Sequence, residues 1–240
     1  MPLFSIITIN LNNAEGLART IGSVMMQTFI DYEYIVVDGL STDGSVDVIN
    51  EFRSNVDQVL IESDTGIYNA MNKGLGLATG KFIQFLNSGD EFCDSDALRI
   101  VAAQIEEAEL IYCDVKLFGG KSESVKTHPD HLSTRFQLTG MICHQAIFAS
   151  LDLFKRTGGF DESFKVYGDY DWMTNAIRHQ NASYRHIHSV LVKYQELGIS
   201  QSTSKEIQRR EKDRIHDKYF GAMVLWVYRL YRKLNDKDSN

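Results

Sequence analysis

Three cysteines in 240 residues, odd in number and without a C-x-x-C pair, exclude a disulfide frame and a cysteine-built zinc site. Cys93, Cys113 and Cys143 instead fit thiols packed as small core residues in a reducing compartment. No apolar run approaches the roughly 18 residues that a membrane span requires. The opening Met1-Pro-Leu-Phe4 lacks a basic stretch, an apolar run and a cleavage site in that order, so no signal peptide is expected. Internal repeats and low-complexity segments are also missing. After the first apolar run the chain reads Asn10-Leu-Asn-Asn-Ala-Glu15, not G-x-G-x-x-G, and it holds no Walker-type loop. A dinucleotide site and a P-loop are thereby excluded. The chain carries a net charge of −7, spread unevenly. Lys205 to Asn240 holds ten Lys/Arg against six Asp/Glu, and the body before it 15 against 26. So acidic a body argues against a nucleic-acid partner.

What is present reads as α/β. The composition, 43% hydrophobic and 24% charged, is that of a globular chain long enough for one large domain or two small ones. Phe4 to Asn10 is a strand-like, mostly apolar run, as in a parallel sheet covered on both faces. Asn12 or Asn13 can cap the helix after it, where Leu17, Ile21, Val24 and Met25 recur at helical spacing. Tyr34 to Asp38 and Val59 to Ile61 are further strands. Val46, Ile49 and Phe52 mark the helix between them, and another helix spans about Ile67 to Ala78. Lys81 to Leu86 is a buried strand that stops in Asn87-Ser-Gly-Asp90. This alternation predicts a doubly wound sheet with right-handed crossovers. A helix over Asp94 to about Glu107 and a strand over Leu110 to Asp114 follow, then a polar loop or hairpin over Gly119 to Asp130. His144 stands beside the apolar run Ile142 to Phe148, and a further strand runs on from His186 through Tyr194.

Asp38, Asp64 and Asp90 each lie just past a separate strand. Open α/β sheets bind ligands at that edge, and three acids there suit a cation or a sugar nucleotide. Asp90 alone could equally close a turn. Asp169 or Asp171 opens a helix to about His179, either as N-cap and first-turn acid or as a general base. His186 and His188 share one strand face, but no further metal ligand is evident in sequence, so core or surface roles are favoured. Glu206 to Leu234 is helical by composition. Tyr219, Met223, Val227, Leu230 and Leu234 form a stripe that Phe220, Val224, Tyr228 and Tyr231 broaden, with Trp226, Arg229, Arg232 and Lys233 adding aromatic and basic character. It can dock on the body, on a second subunit in a homodimer, or on an anionic membrane surface.

Taken together, Ser5-Ile-Ile-Thr-Ile-Asn-Leu-Asn12, Ser23 to Thr28, Tyr34 to Ser45, Phe85-Leu-Asn-Ser-Gly-Asp90 and Gly168-Asp-Tyr-Asp171 resemble glycosyltransferase family 2. These are inverting enzymes with the GT-A nucleotide-sugar-binding fold, and the likeness covers roughly Phe4 to Met173. Ser63-Asp-Thr-Gly-Ile-Tyr-Asn-Ala-Met-Asn-Lys-Gly74 and His144-Gln-Ala146 look like the branch that builds bacterial exopolysaccharide, capsule and O-antigen units. The resemblance implies a GT-A-type, mostly parallel sheet flanked by helices over residues 1–204. A nucleotide-sugar half would cover 1–115 and an acceptor and catalytic-base half 116–204, followed by an amphipathic helical extension over 205–240. It also implies roles for residues. Thr8, Asn10, Leu11, Asn12 and Asp38 would line the nucleoside, and Asp64, Lys73, Asn87 and Ser88 would complete the donor pocket. Asp90 would ligate Mn2+ or Mg2+ at the diphosphate. Asp169 would be the base, with His144 and Asp171 near the acceptor or behind the base. Where the family usually has Asp-x-Asp-Asp this chain has Asn87-Ser-Gly-Asp90, so Gly89 replaces an acid and Asp90 serves one residue further on. The expected reaction moves a sugar, most commonly from a UDP donor, to a glycan or lipid-linked acceptor. The expected place is the cytoplasm, with the tail touching the inner face of the membrane. A nucleotidyltransferase would need a Gly-rich basic loop after the first strand, and none is present. A nucleotide-sugar- or glycan-binding subunit without catalysis is the alternative, motivated by Gly89.

Overall fold

The structure, a computed structural model, describes residues 1–120, 122–195 and 203–235, with side chains described as far as Leu230. The chain runs β1 (Phe4–Asn10), α1 (Ala14–Met25), β2 (Tyr32–Asp38), α2 (Ser45–Glu51), β3 (Gln58–Ile61), α3 (Ile67–Leu77), β4 (Phe82–Phe85) and β5 (Glu91–Phe92). It continues as α4 (Ala97–Ala102), β6 (Leu110–Phe118), β7 (Ser124–Lys126), α5 (Thr134–Thr139), β8 (Ile147–Ser150), α6 (Leu151–Thr157) and α7 (Gly168–Arg178). β9 (Tyr184–Gln195), α8 (Lys205–Tyr219) and α9 (Ala222–Asn235) complete it.

The described strands form one sheet in the order β3-β2-β1-β4-β8-β6-β9-β5, with β7 paired to β6. β3, β2, β1 and β4 are parallel, and all seven residues of β1 are buried, the continuous apolar pattern of a strand covered on both faces. β8 then runs antiparallel between β4 and β6, and β9 returns parallel to β6. β1, β2, β3, β4, β6 and β9 therefore all end at the same edge of the sheet, and that edge collects the polar loops.

The opposite edge is built for stability. Glu33 accepts hydrogen bonds from Ser5 Oγ (2.5 Å), Thr79 N (2.5 Å) and Gly80 N (3.0 Å). Burial pushes its carboxyl up, but these hydrogen bonds outweigh that and hold it below the usual carboxylate range.

Three sequence expectations change. The helix over Asp94 to about Glu107 is only α4, because the chain bends away after Ala102 and Glu106 pairs with Arg185. Asp169 and Asp171 lie in the first turn of α7, whose N-cap is Tyr167. The continuous helix over Glu206 to Leu234 is two helices. Phe220 is extended (φ −119°, ψ 130°), and its ring is buried beneath the Arg178 guanidinium, 4.4 Å away. Burying that ring stabilises the break, since a large side chain contributes about 1.5–3 kcal/mol when fully enclosed. Leu234, Tyr231, Arg232 and Lys233 have side chains outside the described residues.

Candidate active site

The first wall is made by the loops after β1, β2 and β3. Asp38, fully buried, accepts from Asn10 Nδ2 (2.7 Å), Ser41 N (2.8 Å) and Ser41 Oγ (2.8 Å). Asn12, at φ 51°, accepts from Thr42 N (2.8 Å), and its own N–H donates to Ser41 Oγ (2.8 Å). Asp43 receives Ala14 N (2.8 Å), tying the same loop to the start of α1. Asp38 thus shapes the wall from behind, while Leu11 and Leu40 stand exposed at its mouth. Asn10 Oδ1 is buried without a partner among the described residues. Asp64 reaches the same place: a Cβ on Gly39 would come within 2.6 Å of its Oδ2 and 3.1 Å of Leu11 Cδ1. A side chain at 39 would have to push that carboxylate aside. Lys73 binds Ser63 O and Glu62 Oε1, each at 2.7 Å, and so braces the loop that carries Asp64. Thr8 is fully enclosed, with Oγ1 donating to Leu86 O (2.7 Å) and meeting Tyr34 Oη (2.9 Å). It locks β1 to β4 beneath the site.

The second wall is Asn87 to Asp90. Ser88 N donates to Ile9 O (3.1 Å), and Asn13 Nδ2 donates to Ser88 O (3.0 Å). Thr20 Oγ1 accepts from Gly89 N (2.9 Å) and lies 2.7 Å from Asp90 O. Gly89 has φ 102°, and a Cβ there would overlap Gln195 Oε1 and come within 3.3 Å of Asn13 Nδ2. An acid at 89 is therefore strained by the left-handed turn and would also have to displace the Gln195 amide. Asp90 is buried, and its Oδ1 accepts from Gln195 N (2.9 Å) at the end of β9. Burial pushes its carboxyl up to about 6, against the Gln195 N–H, His144 and Gln145, which pull it down. The adjacent Asn87 Oδ1 is a second buried oxygen without a partner among the described residues.

The third wall holds Asp169, buried in the first turn of α7. Its Oδ1 accepts from Tyr68 Oη (3.2 Å) and Tyr170 N (2.9 Å), and its Oδ2 faces His144 Nδ1 (3.0 Å). His144 Nε2 in turn meets Asn87 Nδ2 (3.0 Å). With Asn87 donating, the imidazole carries its proton on Nδ1 and gives it to Asp169. One ring thereby connects the Asn87–Asp90 loop to the α7 carboxylate. Behind them Phe85, Phe154, Phe160 and Trp172 pack as an aromatic wall, with Phe154 stacked on Trp172 at 4.4 Å. Asp171 faces elsewhere, paired with Lys218 Nζ at 3.0 Å.

The sequence pattern of Glycosyl transferase family 2 matches residues 5–162. The chain belongs to that family. It is 35% identical over 217 residues, 87% of this chain and 84% of the relative, to a PGL/p-HBAD biosynthesis glycosyltransferase of Mycobacterium bovis. Its fold is that of S. aureus TarS 1-349 solved with UDP-GlcNAc (TM-score 0.72, 20% identity, covering 90% of this chain and 71% of that one). It is similar too to the mannosyltransferase PcManGT of Pyrobaculum calidifontis solved with GDP-Man and Mn2+ (TM-score 0.63, 16% identity, covering 80% and 56%). As a family 2 glycosyltransferase the chain is an enzyme, and its mixed sheet flanked by helices is the GT-A arrangement.

Several residues of this site escape sequence reasoning. Tyr68 lies within the run that carried the family resemblance, yet nothing local marks its reach to Asp169. Gln195, 105 residues from Asp90, meets it because β9 pairs antiparallel with β5, Lys193 opposite Glu91. Glu211 lies in the basic tail, one of six acids there with nothing local to single it out. Its carboxylate accepts from Lys165 N (2.6 Å), Val166 N (3.0 Å) and Tyr167 N (3.0 Å), the turn that leads into α7.

Proposed function

We propose that the enzyme transfers one sugar from a nucleoside-diphosphate donor, UDP-linked, to a hydroxyl of a bacterial surface glycan or glycolipid, with inversion. The observation that carries this is the Asn87–His144–Asp169 connection, which couples a loop suited to a diphosphate to a carboxylate suited to a proton. A carboxylate offers about four lone-pair sites. Tyr68, Tyr170 and His144 occupy three around Asp169, leaving one for the acceptor hydroxyl. Asp169 would take that proton as the oxygen attacks the anomeric carbon from the face opposite the diphosphate. The Nδ1–H of His144 would hold the carboxylate in the attacking orientation. The mycobacterial relative, named as a PGL/p-HBAD biosynthesis glycosyltransferase, supports a role in surface-glycan synthesis, and the ligand in TarS supports the UDP donor.

A divalent cation fits the Asp90 loop. Asp90 is a buried hard oxygen donor, and Asn87 Oδ1 beside it lacks a partner among the described residues. Mn2+ or Mg2+ bound there with the diphosphate would offset the charge that develops on the leaving group.

The last helix fits a peripheral contact with the inner face of the membrane. Met223, Trp226, Val227 and Leu230 on α9 are exposed at 80%, 66%, 54% and 44%, one stripe at helical spacing. No helix among the described residues is long and apolar enough to cross a membrane.

Thermal shift with UDP, GDP, dTDP and CMP, each with and without Mn2+, tests the donor reading. A ligand that binds the folded state raises the melting temperature with concentration. A Mn2+-dependent rise for UDP alone is expected. A rise for another nucleotide would overturn the UDP assignment, and no rise for any would overturn the donor site.

A further inference from the structure

Away from the donor edge, β9 carries a second cluster of ligating groups. His186 Nδ1 lies 2.7 Å from Asp130 Oδ1, and His188 Nε2 lies 3.2 Å from the same oxygen. Ligand atoms from Asp130, His186 and His188 all fall within 4.8 Å of one another. The other nitrogen of His186, Nε2, is 2.9 Å from the buried Asp114.

We infer that Asp130, His186 and His188 form a binding site for a borderline transition-metal ion such as Zn2+, separate from the Mn2+ or Mg2+ site of the donor. Two imidazoles and one carboxylate are a donor set that suits zinc and is poor for magnesium, which prefers oxygen alone. Three further features point the same way. First, a histidine that ligates a metal characteristically donates its other ring N–H to a carboxylate, which fixes the tautomer and leaves the ligating nitrogen bare. Asp114 supplies that carboxylate to His186. Second, the His186 ring is held in place, stacked on Tyr112 at 4.9 Å with the planes 10° apart. Third, the register of β9 against β6 jumps from Cys113–Ile187 to Asp114–Val190, so His188 and Ser189 are extra residues in the strand. Bulges of this kind re-aim side chains, and here one falls on a ligating histidine.

Asp130 comes from the segment between β7 and α5, whereas both histidines come from β9. The ion would therefore clamp that segment onto the sheet. Two residues earlier, His128 Nδ1 meets Cys113 O (2.9 Å) and its Nε2 faces Cys143 N (3.4 Å), next to His144. The clamp would thus steady the segment that leads to His144, the residue that positions Asp169. His186 lies opposite Tyr112 of β6 and Gln195 opposite Phe118, six residues on, a separation on the order of 20 Å from the Asp90 loop at about 3.3 Å per residue.

Calorimetric titration of the chelator-treated, tag-free chain with Zn2+ tests this, with Co2+ absorption in the visible as a second readout. One equivalent of Zn2+ should bind, unaffected by millimolar Mg2+ and by Asp90→Asn. His188→Ala and Asp130→Ala, both at exposed side chains, should each weaken Zn2+ by about tenfold or more and abolish the tetrahedral Co2+ bands. Asp114→Asn keeps an acceptor for His186 yet removes the charge, and should weaken binding roughly 10–100-fold. No Zn2+ uptake, uptake unchanged in both His188→Ala and Asp130→Ala, or uptake lost in Asp90→Asn would each overturn the proposal.

Discussion

Asp90 shows in a single side chain what burying a carboxyl at the sheet edge costs the fold. Its carboxyl, raised from 3.8 to about 6 by burial, is protonated more readily in the folded chain than in the unfolded one. Ionising it therefore destabilises the metal-free protein progressively from about pH 4 to 6, and the loss is complete above that. A rise of this size sets a ceiling of about 3 kcal/mol on the loss. Urea unfolding in chelator should find Asp90→Asn more stable than the natural chain by about 1–3 kcal/mol at pH 8 and nearly equal at pH 4. Saturating Mn2+ should reverse the order at pH 8, because only the carboxylate binds it well. An Asp90→Asn chain less stable at pH 8 without metal would show instead that the carboxylate is stabilising. Gly89 gives the complementary lesson. Its sequence signal, a missing family acid, reads as a defect until the backbone shows a left-handed turn pressed against Gln195.

Among the elements, those legible in the sequence are the ones whose signal is local. β1 and β2 read from continuous apolar runs, and α1 from its spacing and from the Asn13 cap, whose Oδ1 accepts Gly16 N at 3.1 Å. β8 reversing between β4 and β6 has no local mark, since strand direction is set by partners more than 30 residues away. The break between α8 and α9 is likewise hidden, because Phe220 and Gly221 interrupt helical periodicity too briefly to register. That break decides what the tail does. α8 packs on α7, with Ile215 and Tyr219 buried, Lys218 on Asp171 and Arg214 on Asp161 at 2.8 Å. Of these two helices, α9 is the one whose described residues keep an apolar stripe in solvent. Liposomes rich in anionic lipid should float with the natural chain and not with Trp226→Glu/Leu230→Glu, whose fold is unaffected because both side chains are exposed. Equal flotation of the two would remove the membrane reading of α9.

The whole molecule brings together groups that the sequence keeps far apart. Asn87 follows β4, His144 precedes β8, Asp169 opens α7 and Tyr68 lies on α3. Four elements from both halves of the chain meet around one carboxylate because six strands end at one edge and β8 turns back between them. The sequence motifs mark that acids gather at this edge. They do not mark which acid reaches the site, since Asp169 and Asp171 stand two residues apart and only packing turns Asp169 to His144 and Asp171 to Lys218. The proposed mechanism stands or falls on that division of labour, and Asp169→Asn probes it. The asparagine keeps acceptors for Tyr68 and Tyr170 but is no base. Sugar transfer, measured beside equilibrium binding of the nucleotide donor, should fall roughly 10²–10⁴-fold, with donor affinity and melting temperature unchanged. Transfer that survives, or donor binding lost along with it, would contradict Asp169 as the base and leave it a structural part of α7.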